Sequence, residues 1–71
     1  MENYKNSAGD SGVLSYENGS GYIRVRFSTG KTYTYSYRKA GKGHVDQMQS
    51  LAKSGSGLNS YINKYVKNLY D

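Results

Sequence analysis

The chain of 71 residues has no cysteine, no proline, one histidine and five acidic residues. Without cysteine, neither a disulfide nor a thiolate zinc site can help hold the fold together. His44 has no second imidazole to complete a metal site, and with one histidine a Ser-His-acid triad is not expected. It stands beside Asp46 at the start of an expected helix and reads as an exposed helix-end residue. The acids are scattered, so no two make the carboxylate pair of a glycosidase. No apolar run approaches the roughly 20 residues of a membrane helix, and no hydrophobic leader core follows Met1. Nothing in the residues calls for a cofactor or a metal. The expectation is a non-enzymatic cytoplasmic protein without membrane association.

A chain this short makes one domain and buries only about 60% of the surface that it exposes when unfolded. The apolar fraction, 35%, is low. Nine tyrosines offset the shortfall, because a buried ring brings a large apolar area if its hydroxyl finds a partner. The net charge of +5 is concentrated in one segment. Residues 1–21 carry −2 and residues 44–71 carry +1, whereas residues 22–43 carry +6 from Arg24, Arg26, Lys31, Arg38, Lys39 and Lys42 with no acid among them. Such a cluster is the electrostatic footprint that a polyanion would meet.

Residues 1–11 show neither helical nor strand periodicity and read as a flexible lead-in to a domain over residues 12–71. Residues 13–17 can form a first strand, closed by a turn at Asn18, Gly19, Ser20 and Gly21. Residues 22–28 alternate, with Ile23, Val25 and Phe27 on one face and Tyr22, Arg24 and Arg26 on the other, which predicts a half-buried antiparallel strand. Residues 31–37 alternate again, with Tyr33, Tyr35 and Tyr37 against Thr32, Thr34 and Ser36. After a loop at residues 38–43 the period turns helical: Val45, Met48, Leu51 and Ala52 make one stripe, ending near Ser54. Ser54, Gly55, Ser56 and Gly57 stop the first helix, and Leu58, Tyr61, Ile62, Tyr65, Val66 and Leu69 form the stripe of a second. Both helices are too short to stand alone, so each must dock on the sheet. The predicted class is α+β, a three-stranded antiparallel meander followed by two short helices on one face.

Two registers are open for the second hairpin. A two-residue turn at Thr29 and Gly30 pairs Arg26 with Tyr33 and Arg24 with Tyr35. That arrangement gathers Tyr22, Arg24, Arg26, Tyr33, Tyr35 and Tyr37 on one face where unstacked bases can stack. A three-residue loop of Ser28, Thr29 and Gly30 with a bulge instead sets Val25 opposite Tyr33 and Ile23 opposite Tyr35. The tyrosines then join the core beneath the helices. Without them the sheet offers the helices little beyond Ile23, Val25, Phe27, and Leu14 or Tyr16.

Gly41, Lys42 and Gly43 ahead of the helix lack the spacing of a Walker motif, although a helix start flanked by Lys39 and Lys42 can receive a single phosphate. Several features taken together resemble the KTSC domain. They are the strand of Ile23, Arg24, Val25, Arg26 and Phe27, the following Ser28, Thr29 and Gly30, and the pair Tyr33 and Tyr35. They continue with residues 51–59, which resemble the family's small-residue loop and end in Leu58 and Asn59, and then Ile62. This module is found at the C-terminus of some lysyl-tRNA synthetases and as a free-standing bacterial or phage protein. The resemblance spans residues 13–66. The chain departs from the family pattern where Tyr37, Arg38, Lys39, Ala40 and Gly41 replace a Val-Pro, and where the closing tyrosine falls one position early, at Tyr65. The resemblance implies the same α+β fold and an RNA-binding role.

Two functional expectations follow. One is a nucleic-acid-binding module, RNA favoured, with Arg24, Arg26, Lys31, Arg38, Lys39 and Lys42 on phosphates and Tyr22 or Tyr37 as stacking surfaces. The other is a protein-interaction module, such as a phage-encoded anti-defence inhibitor, that uses the same residues on an acidic protein partner. Either a monomer or a homodimer is compatible with the sequence. The dimer would be made through an unprotected strand edge at residues 13–17.

Overall fold

The computed structural model describes residues 2–5 and 12–71. Four strands, β1 (Glu2–Asn3), β2 (Val13–Gly19), β3 (Tyr22–Phe27) and β4 (Thr32–Ser36), form one antiparallel sheet in that order. Two helices follow, α1 (Lys42–Ser54) and α2 (Leu58–Tyr61), and α2 runs on into a π-helical turn, Ile62–Val66. The α+β class is as the periodicities predict. The sheet has four strands rather than three. Its extra strand comes from the stretch that reads as a lead-in: Glu2 and Asn3 pair with Tyr16 and Ser15. Tyr4 is buried in the core, and its hydroxyl accepts the backbone N–H of Leu58 at the start of α2. Part of the edge expected at residues 13–17 is therefore paired with this chain's own β1, at Ser15 and Tyr16. The remainder of the lead-in, Met1 and residues 6–11, lies outside the described residues.

The register of β3 and β4 is the bulged one. Phe27 N–H donates to the Lys31 carbonyl at 2.8 Å and Gly30 N–H to the Phe27 carbonyl at 2.9 Å, closing a loop of Ser28, Thr29 and Gly30. Gly30 takes φ +92°, a conformation that glycine adopts without the Cβ penalty. Val25 consequently faces Tyr33 and Ile23 faces Tyr35. Tyr35 is only 1% exposed, and burial, with smaller contributions from Tyr33 and Tyr70, pushes its hydroxyl up to about 12.

A second bulge lies in β2, where Val13 pairs with Phe27 but Ser15 pairs with Arg26, leaving Leu14 as the extra residue. The bulge turns Val13 into the core and leaves Leu14 50% exposed, so Tyr16 rather than Leu14 completes the sheet's apolar face. The core joins Tyr4, Val13, Tyr16, Ile23, Val25 and Tyr35 of the sheet side to Val45, Met48 and Ala52 of α1 and to Leu58, Ile62 and Val66. The α1 stripe is thus as predicted, with Leu51 half-buried at its margin. In the second helical segment the wider π turn keeps Leu58, Ile62 and Val66 in line at a spacing of four. A regular α-helix would drift by about 40° at each such step. Tyr65, which the α-helical stripe places in the core, is instead 51% exposed. After the turn, Asp71 N–H donates to the Thr34 carbonyl at 2.8 Å, so the C-terminal residues lie along the outer edge of β4. Among the described residues no helix is long and apolar enough to cross a membrane.

Tyr4 provides the test of β1's part in the fold. Tyr4→Phe removes the acceptor for Leu58 N–H and is expected to lower unfolding free energy by about 1 kcal/mol. Tyr4→Ala, which also empties a core position, is expected to cost about 3–5 kcal/mol. Urea denaturation measures both, and a Tyr4→Ala protein as stable as the parent would show that the N-terminal strand is dispensable.

Candidate nucleic-acid interface

Because both helices cover the face carrying Ile23, Val25 and Tyr35, the opposite face of the sheet is open. Three rungs cross it: Gly19–Tyr22–Ser36, Glu17–Arg24–Thr34 and Ser15–Arg26–Thr32. β3 is the spine, and its alternate residues Tyr22, Arg24 and Arg26 repeat about every 7 Å along the strand. The flanking positions are short: serine and threonine hydroxyls and one glycine, with Glu17 the one acid among the three rungs.

The middle rung is tied together. Arg24 Nε donates to Thr34 Oγ1 at 3.3 Å, and its guanidinium lies 3.6 Å from Glu17 Oε1 and 5.6 Å from the centre of the Tyr22 ring. Tyr22 donates its hydroxyl proton to Glu17 Oε2 at 2.8 Å, and that bond raises the Tyr22 pKa. The ring lies so close over Gly19 that a Cβ there would come within 2.0 Å of it, so a side chain at this position would displace the ring. Gln49 of α1 holds the same hairpin from behind, donating from Nε2 to the Gly19 carbonyl at 3.0 Å and to the Tyr22 carbonyl at 2.8 Å. Tyr22 and Arg24 are therefore presented in a set geometry before any ligand arrives.

Arg26 projects from the third rung, exposed and without an ion pair among the described residues, and Lys31 follows at that end of the sheet. At the opposite end the chain leaves β4 in a tight turn in which the N–H groups of Lys39, Ala40 and Gly41 all point at the Ser36 carbonyl, at 3.2, 2.8 and 3.3 Å. Buried Ala40 anchors that turn and leaves Arg38 and Lys39 exposed. They line a shallow depression with Ser36 and Asp71, whose Oδ1 accepts the Ser36 hydroxyl at 2.8 Å. Neither Arg38 nor Lys39 has an ion pair among the described residues.

Tyr37 and Lys42 belong to a different arrangement. Tyr37 donates to Asp46 Oδ1 and Lys42 Nζ to Asp46 Oδ2, each at 2.6 Å, and the Lys42 ammonium lies 5.5 Å from the centre of the Tyr37 ring. This cluster braces the β4–α1 connection against the first turns of α1. It also satisfies the lysine that the sequence offers to a phosphate. The helix start itself has Gly41 as its N-cap and no side-chain capping bond. His44 is half-buried rather than exposed, with Nδ1 2.7 Å from the Tyr61 hydroxyl and its ring against Tyr65. Of the eight residues read from the sequence, the fold thus places Tyr22, Arg24 and Arg26 on one face, Lys31 at one end, Arg38 and Lys39 at the other, and Tyr37 and Lys42 in a brace. Among the described residues no group of three or more metal-ligating side chains comes together.

No family model, no curated protein and no solved structure matches the chain.

The Asp46 brace makes a pH prediction. The Lys42 and Tyr37 hydrogen bonds hold the Asp46 carboxyl below its ordinary value of 3.8. Its contribution to stability is therefore present above about 3.8 and is lost as pH falls through the lower folded-state value. Lys42, raised above 10.5 by the same bond, loses its contribution at the alkaline end. Thermal midpoints taken from neutral pH to below 3.8 are expected to fall more for the parent than for Asp46→Asn. Equal falls would show that the brace does not stabilise the fold.

Proposed function

We propose that this chain is a small, non-catalytic module that binds single-stranded nucleic acid, RNA favoured, across the open face of its sheet. The observation that carries this reading is the one-sided placement of both helices. It leaves bare the face on which Tyr22, Arg24 and Arg26 alternate along the central strand. A flat sheet with an aromatic ring, arginines and rows of hydroxyls suits an unpaired strand, whose bases can stack and whose phosphates and sugars can be hydrogen-bonded. Arg26, Lys31, Arg38 and Lys39 have no acid partner among the described residues and extend the surface from one end of the sheet to the other. Tyr22 is the stacking surface in this reading, and Tyr37 and Lys42 are supports. The KTSC resemblance, which rests on residues 13–66, points in the same direction.

A protein partner is the second reading, favoured by Leu14 and Tyr65, large apolar side chains about half exposed. Such a partner would be acidic and would dock on the same cations, as an inhibitor of a host factor does.

Salt dependence separates the two. With about four phosphate contacts, log K for a single-stranded RNA falls with log salt at a slope near −3 between about 50 and 200 mM. Arg24→Ala with Arg26→Ala reduces that slope by about 1 to 2 and leaves the fold intact, since exposed ion pairs contribute little stability. Absence of RNA binding at about 50 mM salt would overturn the nucleic-acid reading in favour of the protein partner.

A further inference from the structure

On the helix side of the sheet, where the β3–β4 hairpin meets the C-terminal segment, lies a cleft of about 320 Å³. This is the small end of the range for ligand pockets, room for one ring system and its substituent. The strand side supplies a wall of aromatic rings: Phe27 and Tyr33 meet edge to face at 5.7 Å, and Tyr70 lies against Tyr33 at 4.5 Å. The helix side supplies Asn59, Asn63 and Lys67, which recur at a spacing of four and so share one face of the segment. Among the described residues none of these three makes a side-chain hydrogen bond or an ion pair, although Asn59 is half-buried. Asn59, a half-buried amide without a protein partner, is satisfied by water or by a ligand, while Asn63 and Lys67 stand exposed at the cleft's mouth. The π-helical turn carries Asn63 and ends one residue before Lys67, and such turns are frequent at functional sites.

We propose that this cleft binds a single nucleobase bearing a phosphate, with the ring against Tyr33 and Tyr70, the base edge on Asn59 and Asn63, and the phosphate on Lys67. Asparagine's adjacent acceptor and donor match the N6 and N7 edge of adenine, so adenine is the preferred base. Lys67 is a point charge suited to one anion. The site does not rest on the open-face reading, because it uses other residues on the other side of the sheet.

The test is an NMR titration of the full isotope-labelled chain with AMP, adenosine and inorganic phosphate, followed at the Asn59 and Asn63 side-chain amides and the Tyr33 and Tyr70 rings. Saturable shifts at these positions are expected, with AMP binding more tightly than adenosine and phosphate weakest. Asn63→Ala and Tyr70→Leu are each expected to weaken AMP about tenfold while the α1 amides stay in place, the scale of losing one stacking or base-edge contact. Lys67→Gln removes the preference for AMP over adenosine, and Arg24→Ala with Arg26→Ala leaves AMP binding unchanged. A short oligoadenylate that moves the same amides more strongly than AMP assigns the site to a base within a strand, and one that moves them less assigns it to a free nucleotide. Either result supports the cleft. No saturable shift at millimolar AMP, shifts that fall on Arg24 and Arg26 instead, or an Asn63→Ala protein that binds AMP as the parent does would overturn the proposal. Those results would leave the open-face reading standing.

Discussion

The loop of Ser28, Thr29 and Gly30 sets the pairing on which the rest of the molecule depends. Side chains on a strand alternate between faces, so a shift of one residue in β4 would exchange its tyrosines for its threonines. The three-residue loop places Tyr33 and Tyr35 behind the sheet with Ile23 and Val25. A domain of 71 residues with one phenylalanine and few large aliphatics needs those rings as core. The same register opposes Arg24 to Thr34 and Arg26 to Thr32, which leaves the arginines among hydroxyls on the uncovered side. Core and candidate interface are two consequences of one pairing.

The cost is that the open face keeps a single aromatic ring. Tyr22 is not left to rotate freely: Gly19 makes room for it, Glu17 holds its hydroxyl, and Arg24 lies over it. Gln49 fixes the hairpin from the helix side. A ligand meeting this rung finds its partners already ordered, so less entropy is lost on binding than with free side chains. Glu17 has a second effect, since it offsets one positive charge on the face and makes Arg26 the more available of the two arginines. Arg26 and Lys31 carry the positive charge at one end of the face, and Arg38 and Lys39 carry it at the other, beside Asp71.

Much of this is legible in the residues, and what is not has identifiable causes. The alternation in β3 and β4 and the stripe of Val45, Met48 and Ala52 are long enough to display their periods. β1 is two residues long, which is too short for any period, and its anchor is one tyrosine whose hydroxyl caps a helix distant in sequence. The residues alone leave two registers open because both hairpin loops suit Thr29 and Gly30. Burial decides between them, and burial depends on the whole chain. Tyr65 sits on a clean α-helical stripe yet faces outward, because the π turn realigns Leu58, Ile62 and Val66 without it. The basic segment is visible as composition, but composition does not reveal that Lys42 and Tyr37 are occupied by Asp46. The spacing of Asn59, Asn63 and Lys67 is visible too. Its meaning depends on the aromatic wall that the fold brings to it.

The most direct measurement is the position of a bound single-stranded RNA, read from backbone amide and arginine Nε–H shifts at low salt. The account predicts perturbation along β3 and β4 at Arg24, Arg26 and Thr34, extending to Lys31 at one end and Lys39 at the other, with the outward residues of α1 unmoved. Perturbation confined to α1 and the His44 and Tyr65 surface, with Arg24 and Arg26 unaffected, would contradict it.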